Sequence, residues 1–350
     1  MSDKKQFKLT KYTKSGGWGS KFSIEDLGEI LSLFNLENKN PNILVDSSHK
    51  DDAAVYKLNE NQCLVLTVDF FPPNVDDPFT YGEIAASNSM SDIYAMGVDP
   101  VIGLNIAAFP KTFPKTVIQD ILRGSQSKCD EAGLSIIGGH TIYDSEPKYG
   151  IAVIGITNCN QVITNNSAKE NQAIILTKPL GTGIVNNLIM NDKSNVDSNM
   201  IKDAVESMSM LNKYAKDIMV KYGASSCVDI TGYGMLGHMY NLALNSNINC
   251  NINIKSVPVI NNLDDYINSN ISSGTKSNIE FLNNKLNSFN KLDNKQKIIF
   301  SDPQTSGGLL FTVDKSKSTD VIKELSAKHS KASLIGETEK LTNNEFIKFS

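Results

Sequence analysis

Short apolar runs alternate with amphipathic segments along most of the chain. Runs rich in β-branched and aromatic side chains are typical of strands, and apolar residues three and four positions apart are typical of helices. In the first half, these patterns predict strands over 55–58, 63–71, 101–109, 135–140 and 149–157. They predict helices over 84–96 and 116–132, each followed by a glycine, and an earlier helix capped by Ser23.

The second half repeats this alternation after a polar stretch over 161–171. The patterns predict strands over 173–177, 309–313 and 332–337, a long helix over 198–222, and a helix over 318–329 with Ser318 as its N-cap. Residues 242–296 are rich in asparagine and weakly patterned. The chain is therefore predicted to hold two mixed αβ domains, over 23–160 and 171–350, after a flexible glycine-rich arm over 1–22.

Composition narrows the class of protein. The chain has 350 residues, of which 40% are hydrophobic, so two domains with cores are possible. The net charge of −4 comes without a basic stripe, which argues against a nucleic-acid partner. No apolar run is long enough to cross a membrane, and the first residues lack the apolar segment of a secretory signal. The five cysteines form no CxxC pair, so we expect buried, reduced thiols in a cytoplasmic protein.

Acidic residues recur where apolar segments begin or end. Asp51 and Asp52 precede a strand, Asp69 lies near the end of the next one, and Asp229 precedes a glycine-rich turn. Asp92 lies inside a mostly apolar helix, one turn after Asn88, so both side chains share a face. An isolated acidic pair is more often an exposed turn. Acids repeated at segment ends are what a magnesium site for a polyphosphate requires.

Two glycine-rich segments could approach a ligand. Ser15 to Lys21 carries glycines around Trp18, but Ser20 separates the last glycine from Lys21, which excludes a P-loop. This segment is either an arm that closes Lys21 over phosphates or a disordered tail. Gly138 and Gly139 precede His140 at the end of a predicted buried strand. They either bring backbone N–H groups to a ligand or form a tight turn.

Taken together and in order, these motifs resemble selenophosphate synthetase (selenide, water dikinase), a family of the aminoimidazole ribonucleotide synthetase-like superfamily. The motifs are Asp51 to Val55, Asn88 to Asp92, Gly138 to His140, Asp229 to Gly234 and Ser301 to Gly308. The resemblance extends from about Leu9 to the C-terminus. It implies a two-domain fold, and a homodimer in which the N-terminal sheets form a barrel and ATP lies near the interface.

The resemblance also implies the reaction and its residues. The family converts ATP, selenide and water into selenophosphate, AMP and phosphate, with Mg²⁺ on the nucleotide. By motif match, Asp52, Asp92 and Asp229 would hold the magnesium, and Lys21 would act on the transferred phosphates. The residues implied to contact ATP or its metals are His49, Lys50, Asp51, Asp69, Asp92, Gly138, Gly139 and His140.

Trp18 departs from the family pattern, which usually has cysteine or selenocysteine there. An indole cannot act as a nucleophile, so no catalytic thiol is assigned to this position. Position 18 either holds a true tryptophan, encoded by UGG, or stands for a selenocysteine encoded by UGA or for a replaced cysteine. Two alternative functions also stay open. One is a catalytically altered nucleotide-binding paralogue, and the other is a phosphotransferase of the superfamily with a different acceptor. The sequence gives neither the number of metal ions nor the selenium donor.

Overall fold

A computed structural model describes residues 7–14, 16–22, 30, 40–191, 196–269, 271–329 and 331–350. The predicted helix after Ser23 lies outside these residues, apart from the helical Ile30. Strands β1 to β12 cover Ile43–Val45, Ala54–Lys57, Gln62–Phe71, Pro100–Phe109, Ser135–Tyr143, Lys148–Asn158, Gln172–Leu176, Ser226–Asp229, Ile248–Ile252, Leu309–Asp314, Ser333–Lys340 and Ile347–Phe349. Helices α1 to α9 cover Pro78–Ala95, Lys115–Ala132, Thr182–Met190, Ser198–Ser209, Lys213–Tyr222, Gly234–Ser246, Ser273–Lys285, Asn294–Ser301 and Ser318–Leu325.

The strands form two separate sheets of six strands each, and this confirms the predicted two-domain mixed αβ fold. The first sheet has the order β1-β2-β3-β6-β4-β5, in which only β4 and β5 run parallel. The second has the order β12-β9-β11-β7-β10-β8, in which only β12 and β9 run parallel. Helix α1 is almost wholly buried, and it packs against β3, β6, α2 and α4. Its polar residues therefore lie between the first domain and the second.

Helix α1 begins earlier than the apolar pattern predicted. The Asp77 side chain accepts a hydrogen bond from the N–H of Thr80, and Pro78 occupies the first helical position. Both residues favour a helix start, because the carboxylate satisfies a free N–H and proline needs no hydrogen-bond acceptor there. The first turn has no apolar periodicity, so the pattern alone placed the start at Ile84.

The sequence predicted that Gly138 and Gly139 lie at the end of a buried strand, and this prediction is wrong. Strand β5 continues through both glycines to Tyr143, lies at the edge of the first sheet, and is exposed along most of its length. A Cβ on Gly139 would lie 2.6 Å from the backbone nitrogen of Asn105 in β4. The glycine is therefore needed for the close approach of two strands.

The long helix predicted over 198–222 is two helices, α4 and α5. Met210 adopts an extended conformation, and its carbonyl accepts a hydrogen bond from Lys178 Nζ at 2.6 Å. The side chain of Asn212 donates to Ser91 Oγ and to the Gly307 carbonyl, both at 2.9 Å. These tertiary contacts replace the helical hydrogen bonds at the break. The prediction that Ser318 caps α9 is also wrong, because Lys317 occupies the N-cap position.

The prediction that all cysteines are reduced is wrong for one pair. Cys63 in β3 and Cys159, just beyond β6, form a disulfide with their Cα atoms 5.1 Å apart. The two strands are antiparallel neighbours, with Cys63 opposite Thr157. Register brings the two sulfurs together, although the residues are 96 positions apart in sequence. Cys129, Cys227 and Cys250 are buried free thiols.

Among the described residues, no helix combines the length and the apolarity that crossing a membrane requires.

Candidate active site

Four of the predicted carboxylates converge at the junction of the two sheets. Asp69 points from β3 toward α1 because side chains alternate along a strand, which places Thr67 on the same side. Asp92 lies on the facing surface of α1, and its carboxylate accepts a hydrogen bond from Thr67 Oγ1. Asp52 and Asp229 approach from the start of β2 and the end of β8. The sequence prediction that these acids share a location is consistent with this arrangement.

Asp52 and Asp229 meet across the two domains. The backbone N–H of Asp229 donates to Asp52 Oδ2 at 3.2 Å. Asp229 is only 1% exposed, and its Oδ2 atom has no hydrogen-bond partner among the described residues. A buried carboxylate oxygen without a donor is costly, so a cation at this position would stabilise it.

The electrostatics of the cluster also favour a cation. Burial raises the pKa of Asp52 and Asp92 well above the ordinary value, and repulsion from the other acids of the cluster adds to the effect. Burial raises the pKa of Asp229 as well, and that of Asp69 to about 7. Such shifts mean that charging these groups together is unfavourable without an added positive charge.

Lys21 brings a positive charge to the cluster from the N-terminal arm. Its Nζ atom lies 4.6 Å from the centre of the Trp18 ring and 4.7 Å from that of Tyr233. Burial lowers the pKa of Lys21, but Tyr233, Asp69, Asp92 and Asp229 outweigh it, and the pKa is raised. The ammonium therefore stays charged at neutral pH. A Cβ on Gly232 would lie 2.7 Å from Lys21 Cδ, so glycine leaves room for the lysine stem.

Trp18 is part of a buried hydrogen-bond chain. Its Nε1–H donates to Asn88 Oδ1 at 2.8 Å, and Asn88 Nδ2 donates to Asp69 Oδ2 at 2.8 Å. The backbone N–H of Ser306 also donates to Asn88 Oδ1, at 2.9 Å. Asn88 thus joins the arm, the first sheet and the Ser301 to Gly308 segment. The tryptophan is only 9% exposed and packs beside Phe71.

A possible metal ligand other than a carboxylate, His238, lies close to the acids of the cluster. One atom from each of Asp52, Asp229 and His238 lies within 4.8 Å of the others. However, His238 Nε2 faces the backbone N–H groups of Thr231 and Tyr233, both at 3.3 Å. Burial lowers the pKa of His238 to about 3, so the ring is neutral and accepts these bonds. The imidazole holds the turn after β8 rather than offering Nε2 to a metal.

Some predicted site residues lie at the edge of the cluster. Asp51 Oδ2 accepts a hydrogen bond from the N–H of Asn165, and burial raises its pKa to about 6. His49 and Lys50 are exposed beside it, and their carbonyls accept hydrogen bonds from Asn245 and Asn165. These contacts attach His49, Lys50 and Asp51, which are predicted to contact ATP, to Asn245 of the second domain and to Asn165 in the stretch before it.

The segment Gly138 to His140 lies apart from the acids of the same chain. Register places Asp69 beside Ile151, Ile151 beside Asn105, and Asn105 beside Gly139. The glycine is therefore three strands from Asp69, or roughly 14 Å at the usual strand spacing. Within one chain, the structure does not bring this segment to the acidic cluster.

Sequence reasoning missed Thr67 and Tyr233 as residues of the cluster, and it gave Asn88 no role apart from Asp92. Asn88 was noted only as a partner of Asp92, Thr67 was passed over, and Tyr233 was treated as part of a glycine-rich turn. A signal existed for two of them, because Thr67 is two residues from Asp69 and Asn88 is one helical turn from Asp92. The position of Tyr233 over Lys21 depends on contact between distant segments, and nothing in the sequence indicates it.

Comparisons with known proteins agree with this architecture. The family model for the N-terminal domain of AIR synthase related protein matches residues 50–157, and the one for the C-terminal domain matches residues 169–348. A solved structure of thiamine monophosphate kinase from Aquifex aeolicus has a TM-score of 0.65 at 17% identity, over 94% of this chain and 98% of that one. Hydrogenase maturation protein HypE in complex with ATP has a TM-score of 0.62 at 16% identity, covering 98% and 94%. These structures show the fold.

Curated relatives are closer in sequence. A selenide, water dikinase of Caldanaerobacter subterraneus is 41% identical over 92% of this chain and 93% of the relative. One from Treponema denticola is 41% identical, covering 91% and 90%. One from Myxococcus xanthus is 39% identical, covering 97% of each chain.

Proposed function

The chain belongs to the selenide, water dikinase family, and we propose from its acidic cluster how its residues carry out that reaction. The protein makes selenophosphate from ATP, selenide and water, and releases AMP and phosphate. The observation that carries the assignment of residues is the convergence of Asp69, Asp92 and Asp229 on Lys21 at the junction of the two domains, with Asp52 beside Asp229. Phosphoryl transfer depends mainly on positioning and charge neutralisation, and this arrangement supplies both.

We propose that Asp52, Asp92 and Asp229 hold Mg²⁺ on the triphosphate. The unpartnered Asp229 oxygen and the raised pKa values of all three acids fit a divalent cation. Oxygen ligands of this type are those that magnesium prefers. When bound, the metal neutralises phosphate charge and allows the carboxylates to lie near a polyanion.

Lys21 is proposed to contact the phosphates that are transferred. The rings of Trp18 and Tyr233 hold its Nζ atom above the acids, and a cation between two aromatic faces is favourably placed. An ammonium there would oppose the charge that develops on the phosphoryl oxygens. His49, Lys50, Asp51 and Asp69 are proposed to contact ATP or its metals from the near side of the cluster.

A homodimer is part of the proposal. Strand β5 is an exposed edge, with Ile137, Ile142 and Tyr143 exposed by 62%, 54% and 77%. Elsewhere on the same sheet, Phe70 in β3 and Leu104 in β4 are exposed by 45% and 43%. Exposed apolar edges favour association. A barrel formed across such a dimer would bring Gly138, Gly139 and His140 of one subunit toward the nucleotide of the other.

The limits of the two domains and the location of the protein remain predictions. We propose domains over 23–160 and 171–350 after an arm over 1–22, and a cytoplasmic enzyme without a nucleic-acid partner. In the part of the arm that the structure describes, Leu9–Tyr12 and Gly17–Ser20 form short 3-10 helices. The N–H of Gly17 donates to the Pro72 carbonyl. The arm thus packs on the first domain through Gly17, and on the second through Lys21 beside Tyr233.

Selenide-dependent formation of AMP from ATP tests the proposal. Lys21→Met should lower turnover by at least about 100-fold, because it removes the charge but keeps most of the stem. Lys11→Met, a change of the same kind at an exposed position of the arm, serves as the control and should retain parental turnover. Equal turnover of the Lys21→Met protein and the parent would contradict the role of Lys21.

A further inference from the structure

A cavity of about 150 Å³ lies in the second domain and shares no lining residue with the acidic cluster. The end of β7, helix α4 and the segment after α9 surround it. Its inner wall is buried and includes Lys178, Ser207 and His329. Its mouth is lined by two acids, Asp203 and Glu206, which α4 places one turn or less from Ser207, and by one exposed cation, Lys331, which donates to Asn261 Oδ1 at 3.0 Å.

Two buried polar groups on the inner wall lack hydrogen-bond partners. Ser207 Oγ and both ring nitrogens of His329 have none with normal geometry among the described residues. Their residues are only 8% and 3% exposed. Leaving a buried donor or acceptor unpaired is costly, so two such groups on one wall indicate a surface that binds a polar molecule.

Lys178 adds a buried amine to the same wall. Its Nζ atom donates to the Met210 carbonyl at 2.6 Å and to the Ser306 carbonyl at 3.0 Å. It forms no ion pair with any described residue, and burial lowers its pKa to about 7. An ammonium has three donors, so one N–H remains beyond the two carbonyls. Asp229 attracts this ammonium without pairing with it directly, and an anionic group in the cavity would supply a counter-charge in contact with Nζ.

The net charge at the mouth is opposite in sign to that of Lys178. Asp203 accepts a hydrogen bond from Asn261 at 3.4 Å, and Glu206 lies 3.7 Å from Lys202 on the same helix. Two carboxylates at the entrance disfavour a simple anion such as phosphate. They favour a ligand whose positive group stays near the mouth while its negative group lies inside.

We propose that this cavity binds a small α-amino acid, with its carboxylate toward Lys178, Ser207 and His329 and its ammonium toward Asp203 and Glu206. A single residue, Ser306, connects this site to the proposed active site. Lys178 holds the Ser306 carbonyl, and the N–H of Ser306 donates to Asn88. The bound molecule would therefore contact the rear of the segment that positions Asn88.

Calorimetric titration of the full chain tests the site. The probes are glycine and L-serine, with N-acetyl-L-serine, ethanolamine and inorganic phosphate as partial mimics. We expect the two amino acids to bind and each mimic to bind at least about 10-fold more weakly. N-acetyl-L-serine and phosphate lack the ammonium group, and ethanolamine lacks the carboxylate. Saturable binding of N-acetyl-L-serine or phosphate as tight as that of L-serine would overturn the zwitterion assignment.

Variants locate the binding. Glu206→Gln and Ser207→Ala should each weaken L-serine binding by roughly 3- to 10-fold, the effect of one hydrogen bond or charge contact. Asp120→Asn on the exposed face of α2 removes a carboxylate elsewhere and should leave the affinity unchanged. Thermal unfolding of each protein without ligand verifies folding. No binding at millimolar amino acid, or the same affinity in all variants, would show that the cavity holds only water.

Discussion

Replacing Asp52 by asparagine should have opposite effects on the metal-free and the magnesium-bound protein. Asp52 and Asp229 have oxygens within 4.8 Å of each other, and Asp92 adds to the same repulsion. Two unit charges at that distance repel by about 3 kcal/mol at an effective dielectric constant of about 20. Burial also raises both pKa values, so partial protonation relieves some of this repulsion. We therefore expect Asp52→Asn to stabilise the metal-free protein by about 1–2 kcal/mol at pH 8.

The same substitution should weaken the response to magnesium. An amide is a poorer ligand than a carboxylate, and loss of one charged ligand should reduce Mg-ATP affinity by at least about 10-fold. The assay is thermal unfolding with EDTA, with Mg²⁺ and with Mg-ATP. Ligands that bind only the folded state raise its stability, so the shift reports affinity. In EDTA, the unfolding midpoint should rise relative to the parent, and the further rise on adding Mg-ATP should shrink.

Asp302→Asn is the matched control for this experiment. Asp302 is a fully buried carboxyl group, whereas Asp52 is partly exposed, and the partners of Asp302 are the N–H of Ile184, Thr275 and Gln304. The substitution makes the same change in charge outside the cluster and should leave the magnesium response at its parental size. A metal-free Asp52→Asn protein less stable than the parent, with an unchanged magnesium response, would refute the reasoning about the cluster.

Three further predictions concern other parts of the molecule. Burial raises the pKa of Asp302 from 3.8 to about 7, so the folded state binds more protons than the unfolded state between these values. Stability should fall as pH rises from about 4 to 7, and urea unfolding of Asp302→Asn should show a smaller fall. Ile142→Asp should convert the proposed homodimer to a monomer of 38.3 kDa in light scattering, and a parent that is already monomeric would contradict the dimer. Trp18→Cys should increase selenide-dependent AMP formation if position 18 needs a reactive sulfur, and a variant no more active than the parent, with a UGG codon in the gene, would exclude that requirement.

The acidic cluster was predictable because its acids stand out in the local sequence pattern as charged residues within apolar elements. Asp69 at the end of an apolar strand and Asp92 inside an apolar helix are unfavourable placements unless a cation is nearby. The apolar runs rich in β-branched and aromatic side chains located β3, β4 and β6 to within one residue at each end. Local propensity and burial agree in these elements, so sequence and structure lead to the same boundaries.

The misses came from contacts between residues distant in sequence. The break between α4 and α5 depends on Lys178 and Asn212, whose partners come from other elements. The Cys63–Cys159 disulfide depends on strand register, which no spacing rule describes. Strand β5 was misjudged because its apolar residues indicate burial, whereas in a single chain they form an exposed edge.

Trp18 combines both kinds of information and shows why the arm cannot be understood from its motif alone. The motif assigns position 18 a reactive atom, and an indole has none. The structure gives the same residue two supporting contacts, a hydrogen bond to Asn88 and a ring face beneath Lys21. A cysteine could replace neither, since its side chain is short and has no π-face. Tyr233 would then hold Lys21 alone, and the Ser306 N–H would be the remaining donor to Asn88 Oδ1 among the described residues. Any chemical gain at position 18 therefore comes with looser positioning of Lys21, the lysine that we propose contacts the transferred phosphates.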